Sequence, residues 1–299
     1  MPEPAIVLGA NQYGKAEVRL VRVDRDGRRH TITDLDVTSQ LRGDFTAAHI
    51  AGDNARIVAT ETQKNTVFAF ARDGVGTPEE FLLRLGRHFT GEFDGVTGGR
   101  WEAEQYTWNR IPVDGAGHDH SFVRGGTETR TAVVTFVGAE ATVISGLRDL
   151  AVLKSAGSEF HGFVRDRYTT LAETDDRILA TSVTARWRYN RLDVGFDESF
   201  AEVRRLLLEA FAGTHSLALQ HTLYEMGRRV LEARTEIDEI RFSMPNLHHI
   251  AVDLTPFGLD NPNEVFYAAD RPYGLIEAAV LRDGVPGNHP AWHGIAGFC

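Results

Sequence analysis

The segment KAEVRLVRVDRDGRRHTITDLDV, from Lys15 to Val37, sets the fold class of this chain. Apolar and charged side chains alternate as far as Val23, which is the pattern of a strand with one buried face and one face in water. Asp26-Gly27 then supplies a tight turn, and the alternation resumes at His30. Two such runs joined by a tight turn predict a β-hairpin.

The rest of the first half adds helices and strands to this hairpin. Gly43–Ala51 carries small residues at helical spacing, and Ile57–Phe70 is rich in residues that favour strands. Thr77-Pro78-Glu79-Glu80 predicts the start of a helix, because a capping threonine, a proline and early acidic residues are typical of a first turn. The apolar face of this helix is predicted to consist of Phe81, Leu82, Leu85 and Phe89. Two strands are predicted to follow it, at Gly99–Ile111 and Ser121–Val137.

The second half repeats this plan of strands, helices and strands. Its predicted strands are Ala141–Leu153, Ala180–Tyr189, Glu239–Leu254, Glu264–Ala268 and Leu275–Arg282, and its predicted helices are Phe196–Ala212 and Ser216–Ala233. Two successive units of this kind predict an α+β fold with two domains, residues 11–137 and 138–299. Each domain should carry an antiparallel sheet covered by helices on one face.

Length and composition narrow the class of protein. A chain of 299 residues with 42% hydrophobic content can bury a large core, and at ~150 residues per domain it suggests two domains. The net charge of −10 and the lack of a long Lys/Arg stripe argue against nucleic acid as a partner. No apolar run reaches the ~20 residues that cross a bilayer and no leader is visible, so we expect a soluble cytoplasmic protein without a membrane partner.

The cysteine and histidine content limits metal and redox chemistry. Cys299 is the only cysteine, so an intrachain disulfide and a cysteine-based metal cluster are both excluded. His118-Asp119-His120 offers alternating imidazoles that could face one way on a strand and bind a transition metal. The spacing places no third ligand, however, and the neighbouring glycines indicate a hairpin loop. We therefore predict no metal site.

A long segment of low periodicity, Leu153–Leu179, carries the first hint of a ligand. It places an aromatic ring at Phe160 and a guanidinium at Arg177, and a flat, anionic heteroaromatic ligand would require both groups. Considered alone, Arg177 is a candidate for a surface ion pair with the preceding Asp175 and Asp176, and Phe160 for a core residue.

Five short strings around this segment occur together in one order. They are Tyr13-Gly14-Lys15, Val58-Ala59-Thr60, Lys64-Asn65-Thr66, Leu219-Gln220, and Pro245-Asn246 with His248. Singly they are ordinary: Lys15 and Thr60 fit solvated strand positions, and Gln220 fits an exposed helix position. In this order, with Phe160 and Arg177, they closely resemble the uricases, the cofactor-free urate oxidases. The resemblance runs from about Asn11 to Ile276.

The resemblance implies a fold and an assembly. Uricases are built of two tandem tunnelling-fold (T-fold) domains, whose sheets join across subunits into a barrel. It therefore implies a homotetramer with active sites between subunits, with urate and O2 as substrates and no cofactor or metal. Eukaryotic uricases often end in a peroxisomal address of the Ser-Lys-Leu type. The ending Ala296-Gly297-Phe298-Cys299 favours the bacterial, cytoplasmic type.

The resemblance also assigns residue roles. Lys15, Thr60 and His248 match the lysine, threonine and histidine that uricases use as a catalytic proton relay. Asn246 matches the asparagine that, with Thr60, holds O2 and later the hydrolytic water. The positions matched to substrate binding are Thr60, Glu61, Phe160, Arg177, Leu219, Gln220, Asn246 and Ile276.

The chemistry of these side chains suits urate. Arg177 presents a planar donor fork to adjacent acceptors of an anionic ring, and the amide of Gln220 can read a neighbouring C=O and N–H edge. Phe160 would stack on the ring, Leu219 would contribute its backbone amide, and Ile276 would line the pocket.

Two positions depart from the uricase pattern. Glu61 follows the relay threonine where uricases commonly have aspartate, and Leu247 precedes the relay histidine where they commonly have lysine. The first change is mild if the backbone N–H of Glu61 makes the contact. The second removes a positive charge beside His248.

Two rival functions remain open at this stage. Another tunnelling-fold enzyme that acts on a purine or pterin, such as a cyclohydrolase or an aldolase, would use zinc or a different acid and base. A urate-binding or scaffold protein would keep the pocket without the chemistry, although the presence of Lys15, Thr60 and His248 argues against it.

Overall fold

The computed structural model describes residues 6–295 and 297–298. Cys299, the residue on which the cysteine arguments rest, lies outside this range. The chain divides into two compact units. One extends to Ser145 and also contains Arg191–Phe196; the other contains Gly146–Asn190 and continues from Asp197 onward.

The first unit begins with the predicted hairpin, which is confirmed. Its elements are β1 (Tyr13–Asp24), β2 (Thr31–Gly43), α1 (Thr46–Ala51), α2 (Thr60–Arg72), α3 (Pro78–Glu92), β3 (Val96–Val113) and β4 (Ala116–Val137). The strands pair antiparallel in the order β1-β2-β3-β4. Gly27 adopts a positive φ of 90° in the turn between β1 and β2, a conformation that glycine tolerates best.

The strand predicted over Ile57–Phe70 is wrong, because this segment forms helix α2. Its buried residues are Gln63, Val67 and Ala71. They recur every four positions, so burial follows the period of a helix although the β-branched composition favours a strand. The packing of α2 against other elements of the first unit has overridden local propensity here.

Helix α3 confirms the start predicted at Thr77. The Thr77 hydroxyl accepts a hydrogen bond from the Glu80 N–H (3.2 Å), and the Glu80 carboxylate accepts one from the Thr77 N–H (3.0 Å). This reciprocal capping box satisfies two amides of the first turn. The predicted apolar face is fully buried, and a Cβ added at Gly86 would lie 2.3 Å from the Phe136 ring. The helix therefore packs directly on β4.

The second unit follows the predicted order of elements. They are β5 (Glu140–Lys154), β6 (Leu179–Tyr189), α4 (Phe196–Gly213), α5 (Leu219–Ala233), β7 (Ile237–Asn246), β8 (His249–Ala251), β9 (Phe266–Ala268) and β10 (Gly274–Leu281), with β5 and α4 starting in the first unit. Strand β7 pairs antiparallel with β6 and β10, and β8 pairs with β9. The strand predicted over Glu239–Leu254 is thus interrupted after Asn246.

Helix α5 lies against the strands of this unit at very short range. A Cβ added at Gly227 would lie 2.6 Å from Cγ2 of Val280 on β10 and 3.2 Å from the Phe242 ring on β7. Antiparallel strands with packed helices confirm the α+β class. Within residues 6–295 and 297–298, no helix combines the length and apolar character needed to cross a membrane.

Candidate functional site

Lys15 lies on β1 beside a close approach of that strand to β2. It pairs with Ser39, and a Cβ added at the neighbouring Gly14 would lie only 1.7 Å from the Ser39 carbonyl oxygen. No side chain fits at that distance, so Gly14 is required for the two strands to pair here. The Lys15 side chain is half-buried beside this contact.

Tyr13 fixes the start of α2 beside the same strand. Its hydroxyl accepts a hydrogen bond from the Val58 N–H (2.8 Å) and donates one to the Val58 carbonyl (3.1 Å). Its ring packs edge-on against Phe45, with centroids 4.8 Å apart, and burial raises the pKa of the Tyr13 phenol. Tyr13 and Lys15 point to the same face because they are two residues apart on a strand.

A second set of hydrogen bonds ties α2 to β2. Gln63 is fully buried; its amide oxygen accepts from the Ser39 hydroxyl (3.0 Å), and its amide nitrogen donates to the Val58 carbonyl (3.4 Å). Ser39 is the strand partner of Lys15, and Gln63 lies one turn beyond Thr60. These bonds bring the first turn of α2 to the part of the sheet that carries Lys15.

Thr60 is the first residue of α2 and is half-buried. The preceding residue, Ala59, provides no side-chain cap. Amides of a first helical turn have no intrahelical acceptor, and they form the positive end of the helix dipole. The threonine hydroxyl, which can both donate and accept a proton, therefore lies at an end of a helix suited to polar or anionic groups.

The carboxylate of Glu61 is exposed and engaged with its own helix. Lys64 Nζ lies 2.6 Å from it, and this hydrogen bond is the main reason that the pKa of Glu61 lies below its usual value. The charges of Lys64 and, to a lesser degree, of Lys15 act in the same direction. Lys15 is therefore within electrostatic reach of the first turn of α2.

In the second unit, Arg177 and Phe160 are in contact. The guanidinium carbon of Arg177 lies 4.9 Å from the centre of the Phe160 ring. Burial lowers the pKa of Arg177, and its Nε has no hydrogen-bond partner among the described residues. A buried donor of this kind is costly unless a ligand satisfies it.

Arg177 does not form the candidate ion pair with Asp175 or Asp176. Asp176 instead accepts hydrogen bonds from the backbone N–H groups of Gly157 (2.8 Å) and Ser158 (3.3 Å), and Asp175 lies 3.0 Å from Nε2 of His161. Both carboxylates are therefore engaged with groups other than the Arg177 guanidinium.

The Phe160 segment is fastened to the start of α5. The Glu159 N–H donates to the Ser216 carbonyl (2.8 Å), and the Ser216 N–H donates to the Gly157 carbonyl (2.9 Å). Helix α5 begins three residues later with Leu219, which is buried, and Gln220, which is exposed. Backbone hydrogen bonds thus connect the Phe160 segment to the first turn of α5, whose N–H groups have no intrahelical acceptor.

Asn246 and Ile276 share one face where β7 meets β10. Asn246 pairs with Gly274, and a Cβ at Gly274 would lie 3.8 Å from the Asn246 Cβ and 3.6 Å from the Ile276 Cδ1. Asn246 also pairs with Thr181 on β6. Because β6 begins two residues after Arg177, this register links Asn246 to the Arg177 segment.

His248 lies between β7 and β8, two residues beyond Asn246. Its side chain is half-buried, and its carbonyl accepts a hydrogen bond from the Ala269 N–H (2.9 Å). The predicted residues therefore fall into two groups. Lys15, Thr60 and Glu61 belong to the first unit, and Phe160, Arg177, Leu219, Gln220, Asn246, His248 and Ile276 belong to the second.

The histidines at positions 118 and 120 lie in β4, not in the hairpin loop predicted for them. Their ring centres are 4.5 Å apart, and the ring of His30 lies 5.8 Å from that of His120. Among the residues that the structure describes, no group of three or more His, Cys, Asp or Glu side chains is arranged to hold a metal ion.

Sequence reasoning did not assign positioning roles to Tyr13, Ser39 and Gln63. Tyr13 and Gly14 were part of a matched string, but a hydrogen bond from Tyr13 to Val58 spans 45 positions and leaves no local signal. The glycine next to Lys15 within a strand was the available sign of a close backbone approach.

Comparisons with known proteins agree along nearly the whole chain. The family model described as Uricase matches residues 11–135 and 143–277. A uricase from Arthrobacter globiformis is 67% identical over 98% of this chain and 96% of its own length, and one from Danio rerio is 36% identical over 90% and 93%.

Solved structures give the same picture. The crystal structure of uricase from Arthrobacter globiformis is 66% identical, covers 97% of this chain and 99% of its own, and has a TM-score of 0.94. A urate oxidase from Bacillus sp. TB-90 has a TM-score of 0.79 at 24% identity, covering 91% of this chain and 100% of its own, and supports the fold alone.

The Gly14 contact generates a stability prediction. Gly14→Ala should lower the free energy of unfolding by about 1–3 kcal/mol, the usual cost of overpacking, because the new methyl group would force β1 away from Ser39. Urea unfolding measures the change. Gly9→Ala is the matched control, since a Cβ there meets nothing within 4 Å. Equal stability of the two variants would contradict the close approach.

Proposed function

This chain belongs to the uricase family and is a urate oxidase, and we propose that it converts urate, O2 and water to 5-hydroxyisourate and H2O2 without a cofactor or metal. The observation that carries the proposal is the Arg177 guanidinium, which lies 4.9 Å from the centre of the Phe160 ring and whose Nε has no hydrogen-bond partner within residues 6–295 and 297–298. This pair presents a cationic donor and an aromatic face, which are the groups that a flat oxopurine anion requires.

Substrate binding is proposed to use the second unit. Arg177 donates to adjacent acceptors of urate, and the Gln220 amide reads the next C=O and N–H edge. The amide of Leu219 adds a donor from the first turn of α5. Phe160 stacks on the purine, and Ile276 lines the pocket next to Asn246.

The proton relay is proposed to combine Lys15, Thr60 and His248. Urate must lose protons before it can transfer electrons to O2, and the lysine amine is the base that receives them. The Thr60 hydroxyl passes a proton because it can donate and accept at once. Electron transfer to O2 and addition of the reduced oxygen to the purine give a peroxide, and water then replaces it as H2O2 leaves.

Asn246 is proposed to hold O2 and then the hydrolytic water, together with Thr60. An amide next to a hydroxyl can orient water through both a donor and an acceptor. Glu61 is proposed to contribute its backbone N–H at the first turn of α2, because its carboxylate is already paired with Lys64.

We further propose that the site lies between subunits of a cytoplasmic homotetramer. Residues 11–137 and 138–299 would each form a T-fold domain, and their sheets would join across subunits into a barrel. The membership of this chain in the uricase family supports this arrangement, in which Lys15 and Thr60 of one subunit would meet Arg177 of a neighbouring subunit.

The reaction itself is tested by a urate assay that follows urate absorbance and oxygen uptake together. We expect loss of urate with consumption of O2 and release of H2O2, and unchanged rates after dialysis against a chelator. Activity that disappears with the chelator and returns with zinc would favour a metal-dependent enzyme of the same fold class. Urate binding without oxygen uptake would indicate a non-catalytic protein.

The separate roles of base and binding group predict different kinetic changes. Lys15→Met should lower kcat by about 10²- to 10⁴-fold, the usual contribution of acid–base catalysis, with little change in the Kd for urate measured without oxygen. Arg177→Ala should instead raise that Kd by about 10- to 100-fold, because a charged hydrogen-bond donor is lost. Arg205→Ala, at an exposed ion-paired position on α4, is the control. Unchanged turnover in Lys15→Met would reject its role as base.

The shared site predicts complementation between two defective subunits. Lys15→Met and Arg177→Ala chains refolded together should recover about a quarter of wild-type activity. An intact site needs one chain that keeps Lys15 and one that keeps Arg177, and in a random mixture each is at the required position with a chance of about one half. Chains that are folded separately and then mixed serve as the control. Refolded mixtures that contain mixed tetramers but stay inactive would show that each subunit holds a complete site of its own.

A further inference from the structure

Phe160 does not stand alone, because a second aromatic ring covers it. The rings of Phe160 and Phe163 are stacked, with centroids 5.0 Å apart and planes inclined by 12°. Gly162, between them, has a φ of +69°, which lets the chain reverse within three residues. Stacked aromatic pairs of this geometry are favourable beyond the area that they bury.

The chain around Phe163 is fastened at two further points. The Arg165 guanidinium lies 4.9 Å from the centre of the Phe163 ring, and its Nη2 donates to the Leu171 carbonyl (2.8 Å). The Gly162 N–H donates to the Glu173 carboxylate (3.0 Å), and this bond is the main reason that the pKa of Glu173 lies below its usual value. Phe163 is thus held against Phe160 by contacts on both sides of it in sequence.

Phe160 is in turn fixed at its backbone. Its N–H donates to the Thr174 carbonyl (2.9 Å), and its own carbonyl accepts from the Thr174 N–H (3.2 Å). Backbone bonds fix the position of the Cα but leave the plane of the ring free to rotate about χ1 and χ2. A neighbouring ring is what limits that rotation, and Phe163 supplies it.

We propose that Phe163 is a positioning residue for urate, and this inference rests on the function proposed above. It covers one face of Phe160 and holds the plane of that ring, so that the ring keeps a fixed orientation relative to the Arg177 guanidinium 4.9 Å from its centre. A surface that already has its bound orientation loses less conformational entropy when the ligand arrives. Phe163 therefore acts on urate binding through Phe160, and it takes no part in proton transfer.

The test compares Phe163→Leu with Phe163→Tyr. Removal of the ring should raise the Kd for urate, measured under nitrogen, by about three- to tenfold, as expected for the loss of one stacking contact. KM should rise with Kd, while kcat should stay within about twofold of wild type. Phe163→Tyr keeps the ring and should bind urate as wild type does.

Gly162→Ala provides a second route to the same effect, in case Phe163→Leu folds poorly. An alanine at a φ of +69° is strained and should loosen the stack without changing either ring. It should also raise the Kd for urate. Circular dichroism and the melting temperature of each variant separate a change in folding from a change in binding.

Three outcomes would overturn the inference. They are urate binding by Phe163→Leu as tight as, or tighter than, that of wild type; a fall in kcat at unchanged Kd; and a Phe163→Tyr variant as defective as Phe163→Leu. Wild type and Arg177→Ala are measured alongside. If wild type does not oxidise urate, the proposed function itself fails; if Arg177→Ala weakens binding and Phe163→Leu does not, the inference alone fails.

Discussion

The approach of Gly14 to the Ser39 carbonyl is the contact on which the placement of Lys15 and Thr60, the proposed catalytic residues, depends. It sets the register that places Lys15 opposite Ser39, and Ser39 in turn binds Gln63 on α2. Buried hydrogen bonds of this kind are costly to break on one side only, so the helix start and the strand are held together. The position of Thr60 relative to β2 is therefore fixed, although α2 begins without a side-chain cap.

The second unit shows the opposite arrangement, around the half-buried guanidinium of Arg177. Asp176 is occupied by two backbone amides, and the Arg177 Nε consequently remains without a partner in the part of the chain that the structure describes. A native protein keeps such an unsatisfied donor at a cost in stability. The cost is reasonable where an anion binds, because the same desolvation strengthens the interaction with its charge.

Some of this architecture could be predicted from the sequence, because its signals are local. The turn at Asp26-Gly27 and the capping box at Thr77 are each encoded by a few consecutive residues, and both were predicted correctly. Helix α2 was missed because its β-branched residues concealed a burial period carried by Gln63, Val67 and Ala71. The matched strings supplied candidate residues but not the hydrogen bonds that position them. The bonds from Tyr13 and Ser39 span 45 and 24 positions, and such distant partners leave no local signal in the sequence.

The two departures from the uricase pattern act through different parts of the framework. The side chain of Glu61 reaches the Lys64 ammonium in solvent, so this pair involves the carboxylate and not the backbone N–H of the first turn of α2. Leu247 keeps its backbone bond to Ala180 (2.9 Å), which preserves the path from β6 to His248. A leucine in place of lysine therefore removes a positive charge beside the imidazole, while the residue still forms a backbone bond to β6.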